Sequence, residues 1–123
     1  MSTMRIRRRG PASKYDIWAR YRDPQRWASW APQIREVRAE GPLRPGLEGE
    51  VLGPLGARAR FEVIDVDEAN GTWTWVVRSG PVRLRIEHEI AEGLAGLVIS
   101  GPAPAVLAYA PVARAALSRL VRR

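Results

Sequence analysis

Cysteine is absent from this 123-residue chain, and histidine, lysine and phenylalanine each occur once. Without thiols there are no disulfides, no thiolate metal sites and no cysteine nucleophile, and a single histidine excludes a site built on paired imidazoles. The lack of cysteine points to a reducing, cytoplasmic setting. No glycine-rich phosphate loop, metal-ligand cluster or nucleophile-triad signature occurs, so the expected chemistry runs without metal or cofactor. The basic residues 1–9 run into GPASKYDIWARYRD, which lacks the apolar stretch of an export signal. Residues 93–113 carry no charge over 21 positions, long enough to span a bilayer. Gly101, Pro102 and Pro104 interrupt them, however, where lipid offers no replacement hydrogen bonds. Strand, turn and helix are expected there rather than a transmembrane segment.

At 46% hydrophobic and 27% charged residues the chain is too apolar for disorder. Its length suits one domain, 1–123, burying roughly two thirds of its unfolded surface. The net charge is +7 and unevenly placed. Residues 1–14 hold Arg5, Arg7, Arg8, Arg9 and Lys14 without an acid, residues 112–123 hold Arg114, Arg119, Arg122 and Arg123 without one, and the middle is nearly neutral. Basic ends attract nucleic acid, an anionic membrane or an acidic protein, or simply keep an arginine-rich chain soluble. No DNA-reading motif accompanies them, so no specific nucleic-acid partner is expected.

Residues 4–8 read as a short basic strand. Ser13 followed three residues later by Asp16 starts a short helix that carries Ile17, Trp18 and Tyr21 on one face. Asp23-Pro24 starts a second helix, with Trp27 and Trp30 three apart and Pro32 as its stop. From residue 34 the pattern changes to apolar runs punctuated by Gly and Pro, as in antiparallel strands, expected at 34–40, 48–52, 57–66, 72–78, 82–91 and 94–100. Asn70-Gly71 is the clearest hairpin turn. From Ala105 onward Val106, Tyr109, Ala113, Leu117 and Leu120 recur at helical spacing, with Pro111 expected to kink that helix or mark its start. The architecture expected is α+β, a curved antiparallel sheet of about six or seven strands around a C-terminal helix.

The segments DIWARYRDPQRWASWAPQIREV, GPLRPGLEGEV, FEVIDVDEANGTWTW, RIEHEI and LVISGPAPAVL, in that order, resemble the START-like, Bet v 1-like helix-grip superfamily (SRPBCC). The resemblance is strongest to its polyketide cyclase/dehydrase and lipid-transport branch. It covers roughly residues 4–121, with Trp27, Trp30 and Pro32 matching a W-x-x-W-x-P element. It implies a sheet that grips the last helix and leaves a hydrophobic cavity. The closing helix reads as short and the first strand as abbreviated, which implies an open cavity or one completed by a second subunit in a homodimer.

Strand alternation sends Leu84, Ile86, His88 and Ile90 inward on one strand, Trp73, Trp75 and Val77 on another, and Ala59, Phe61 and Val63 on a third. Arginines and glutamates fill the opposite faces and are expected to pair across strands. His88 has two readings: a neutral proton shuttle acting on a carbonyl substrate, or a core histidine satisfied by a backbone carbonyl or by Tyr109. Asp65 is its acid partner if a bulge turns it inward, and Tyr109 is the other candidate catalytic group. Trp73 and Trp75 are expected as flat ligand walls, with Phe61, Ile86 and Trp30 beside them, although core packing also accounts for these aromatics.

Three functions follow. The first is a cyclase- or dehydratase-like enzyme acting on a poly-carbonyl metabolite, which the resemblance implies is delivered by an acidic carrier protein. The second is a non-catalytic carrier or sensor of a lipid or other hydrophobic ligand. The third is an arginine-driven nucleic-acid or membrane-surface protein, which the nearly neutral middle of the chain disfavours.

Overall fold

The computed structural model describes residues 1–123. Seven strands form one antiparallel sheet in the order β1-β7-β6-β5-β4-β3-β2. These are β1 (Ser2–Arg9), β2 (Glu36–Arg38), β3 (Glu48–Leu52), β4 (Arg58–Asp67), β5 (Thr72–Ser79), β6 (Val82–Ala91) and β7 (Leu94–Gly101). Helix α1 (Lys14–Arg22), a 3-10 turn (Pro24–Ser29) and helix α2 (Ala103–Leu120) supply the second layer. No helix is long and apolar enough to cross a membrane. This is the α+β helix-grip arrangement.

Local chemistry sets the helix starts. The Ser13 hydroxyl accepts from the backbone N–H of Asp16, and Asp23 accepts from that of Gln25, so both caps satisfy donors that a first turn leaves free. Inside the second layer, the Trp27 indole donates to the Tyr21 carbonyl at 2.9 Å and packs against Phe61, Trp73 and Trp75 on the sheet. Helix α2 buries Val106, Ala110, Ala113, Leu117 and Leu120. It runs through Pro111, which is exposed, so water can satisfy the Leu107 carbonyl that the proline leaves without a donor.

Three expectations are corrected. The first strand is not abbreviated: β1 spans eight residues and pairs with β7 along its whole length, so the basic N-terminus is an edge strand rather than an arm. The closing helix is not short, at 18 residues. The outward charges do not mainly pair across strands, because the register sets Arg60 opposite Arg78 and Arg78 opposite Arg83. Pairs do form between Arg38 and Glu50 on adjacent strands, and between Arg7 and Glu89 at 2.6 Å across the bare backbone of Gly96. Thr74 and Val76 are also buried on the outer face, beside residues with long charged neighbours.

The Asn70-Gly71 turn forms as expected. Gly71 has φ +70, and a Cβ there would collide with the Ile90 carbonyl oxygen. Gly71→Ala is therefore expected to destabilise the fold by more than about 1 kcal/mol, read as a lower urea midpoint. An unchanged midpoint would contradict this account of the turn.

Candidate functional site

The space between sheet and helices divides in two. An outer chamber of about 220 Å³, open on one side, is bounded by Val51, Val77, Leu84, Ile86, Trp75 and Tyr109. An inner space of about 30 Å³ lies among Tyr21, Trp30, Trp73, His88 and Leu117 and is large enough only for a water or two. Gln33, Ile34, Trp75 and Tyr109 line both. The main void therefore sits beside Trp75 and Tyr109, and the surroundings of His88 are nearly filled.

Strand pairing explains how His88 is held. It lies directly opposite Trp73, and the two rings stack 3.7 Å apart with planes 1° from parallel. Its Nδ1 lies 3.0 Å from the Trp73 carbonyl, which can only accept, so Nδ1 carries the proton and Nε2 is left as a bare acceptor. Burial pushes the imidazole pKa down to about 3, opposed only by that backbone bond. At neutral pH the ring is uncharged and cannot donate a second proton. The geometry matches the reading in which a backbone carbonyl satisfies a core histidine.

Tyr109 comes from the middle of α2 and is half-buried at the junction of the two spaces. Its hydroxyl accepts weakly from Gln33 Nε2 at 3.4 Å, and burial holds its pKa above the usual phenol range. Asp65 is not brought to the site. A bulge does interrupt β4 between Val63 and Asp65, but the extra residue is Ile64, and Asp65 then pairs with outward-facing Thr74 and stays exposed. The bulge turns the carboxylate away from His88.

Among the aromatic and aliphatic candidates, Trp75 and Ile86 line the outer chamber and Trp30 and Trp73 line the inner space. Phe61 borders neither; it packs 5.2 Å behind Trp75. Unpaired polarity is the feature that residue patterning did not show. The indole N–H groups of Trp18, Trp30, Trp73 and Trp75 and the Gln33 side-chain oxygen are all buried without a partner. Gln33 was not anticipated, because it sits in an irregular turn after Pro32 where neither strand nor helix periodicity assigns a direction.

A family model described as polyketide cyclase / dehydrase and lipid transport matches residues 1–123. The chain belongs to that family. Similar folds include DynU16, a protein of the dynemicin biosynthetic locus, with TM-score 0.78, 18% identity and coverage of 98% of this chain but 46% of DynU16. The chain thus spans about half of DynU16. XoxI from Bacillus cereus superposes with TM-score 0.80 at 13% identity, covering 98% of this chain and 93% of XoxI. Ara h 8.0201 gives 0.76 at 13%, covering 98% and 95%. At these identities the likenesses show the fold, consistent with the SRPBCC superfamily. A search of curated proteins finds no match. Family and apolar chamber together describe a hydrophobic-ligand-binding SRPBCC protein.

A buried neutral imidazole also predicts a pH dependence. Between about pH 6.5 and pH 3 the unfolded chain binds a proton at His88 that the folded chain refuses, so stability is present above this window and is lost as pH falls through it. The loss attributable to His88 is at most about 1.4 kcal/mol per pH unit. His88→Gln should flatten the plot of unfolding free energy against pH in that window relative to wild type, and parallel plots would contradict the assignment.

Proposed function

We propose that the chain takes up a hydrophobic molecule bearing several carbonyl oxygens and promotes its cyclisation or dehydration. The observation that carries this reading is the unpaired polarity at the inner end of the chamber. The Trp75 indole N–H has no acceptor and the Gln33 oxygen has no donor, and both belong to residues lining a mainly apolar space that Arg58, Ser79 and Tyr109 also border. Each unsatisfied buried group costs about 1–3 kcal/mol. A guest that offers a carbonyl and an enol hydroxyl would satisfy both once the Trp75 and Gln33 side chains turn toward it, whereas a pure hydrocarbon would satisfy neither.

The chemistry needs no metal. In an intramolecular aldol closure one C–C bond forms, the α-carbon proton ends on the new alkoxide oxygen, and subsequent dehydration releases one water. Because β-dicarbonyl compounds enolise readily, holding the chain folded is the main requirement, and such positioning can remove several kcal/mol from a barrier. Tyr109 O–H is assigned as the donor to the carbonyl under attack, and it stays protonated at neutral pH. His88, sealed in the nearly filled inner space with its Nδ1 committed to the Trp73 carbonyl, does not touch the guest. Asp65 has no part.

The non-catalytic carrier remains the second reading, and the low basicity of His88 favours it. Delivery by an acidic carrier protein would use the basic strand β1 and the arginines after residue 112, and a second subunit could cover the chamber's open side. Native mass spectrometry of the purified protein would report both a retained ligand and the subunit count.

The two readings separate with a linear triketo ester as substrate. Under the enzyme reading, wild type accelerates appearance of the aromatic product over buffer, and Tyr109→Phe slows it by about 10²-fold while tryptophan quenching still reports normal binding. Saturable binding with a cyclisation rate equal to buffer would leave the carrier.

A further inference from the structure

Outside the chamber, one charged cleft has no role in ligand enclosure. It is open, about 380 Å³ in volume, and is lined by Arg20, Arg26, Ser29, Trp30 and the C-terminal arginines Arg119, Arg122 and Arg123. No acidic side chain lines it. The ion pairs of the fold involve Arg7, Arg22, Arg38 and Arg85, so all five guanidinium groups of the cleft are uncompensated. Asp23, three residues from both Arg20 and Arg26, is engaged in capping the 3-10 turn.

Helix capping accounts for part of this cluster. Arg20 donates to the carbonyls of Leu120 and Arg122, which satisfies the end of α2, and Arg119 lies in that helix's last turn, where a cation is favoured. Arg26 has no part in the end of α2; it lies in the last turn of the 3-10 turn. It projects from the 3-10 turn, a different element, and adds a further positive charge to a cleft already holding four. Like charges a few ångströms apart repel by about 1 kcal/mol per pair even in water. Guanidinium forks sharing one cleft suit the oxygens of a phosphoryl group, which can accept from several at once. Trp30 adds an aromatic wall between the cleft and the inner space, with its indole N–H closed off from the cleft.

We propose that this cleft is a discrete binding site for a phosphoryl oxyanion, separate from the hydrophobic chamber. Arg20 is pre-positioned by its two backbone bonds, Arg26 and Arg119 supply exposed forks, and Trp30 forms the wall. The phosphoryl group belongs either to a soluble phosphate ester or to a lipid headgroup.

The test is titration of nitrogen-15-labelled protein with inorganic diphosphate at low salt, following the Trp30 indole resonance assigned by loss in Trp30→Phe. Wild type should show a saturable shift. The Arg26→Gln/Arg119→Gln double variant, which leaves Arg20 and its bonds to the Leu120 and Arg122 carbonyls in place, should bind about tenfold or more weakly. The Arg60→Gln/Arg83→Gln variant removes equal charge from exposed positions of the sheet that line neither the cleft nor the chamber and should bind as wild type does. Co-sedimentation with phosphatidylcholine vesicles, with and without phosphatidic acid, identifies the source. Vesicle binding that the cleft variant loses assigns a lipid headgroup, and its absence assigns a soluble phosphate. A wild-type spectrum unmoved by diphosphate, or equal weakening in both double variants, would overturn the site. Neither result bears on the chamber, whose ligand binding is read separately by tryptophan quenching.

Discussion

The seating of Trp27 is the constraint on which the interior depends. Its indole is tied to the Tyr21 carbonyl at 2.9 Å, stacks 6.0 Å from Trp73 and meets Trp75 edge-on at 5.3 Å. One side chain thereby pins the 3-10 turn to the inner face of β5. With that half of the sheet filled by aromatic rings, the uncovered space is displaced toward β3, the start of β4 and the β5–β6 hairpin. The chamber is there because the packing on the other side is tight.

That displacement separates two roles that a shared strand face makes look alike. His88 and Trp75 both point inward from adjacent strands, but only Trp75 borders the chamber. His88 is sealed under Trp73 and Tyr21, uncharged, with one ring nitrogen committed to the backbone. The polarity available to a guest comes instead from groups that folding leaves unpaired. Indole N–H and amide oxygen are neutral, so they direct orientation without attracting ions, as a site for an oxygenated hydrophobic molecule requires.

Most of the fold was legible in the sequence because period-two alternation and turn chemistry are local. The residues of β3 and β6 match their expected ranges, the Asn70-Gly71 turn is where the dipeptide places it, and Ser13 caps α1. What was not legible depends on tertiary context. The full length of β1 reflects pairing with β7, which sustains a strand that alternation alone suggests only over five residues. The bulge at Ile64 reverses the facing of Asp65, and no residue preference in IDVD announces it. Gln33 enters the site from an irregular turn. The position of the void follows from volumes summed over many side chains, so the inward aromatics could be named but not sorted into walls and filler. Phe61 and Trp75 face the same way, and only packing distinguishes them.

The central claim is that the unpaired Trp75 donor and Gln33 acceptor beside the chamber select a guest by its oxygens. The most direct measurement compares 2-acetylnaphthalene with its hydrocarbon isostere 2-isopropylnaphthalene by following all five tryptophan indole N–H resonances. The account predicts tighter binding of the ketone and a downfield shift of the Trp75 signal with the ketone alone, while Trp27, already bonded to Tyr21, stays in place. Equal affinity for the two compounds, with Trp75 indifferent to the carbonyl, would contradict it.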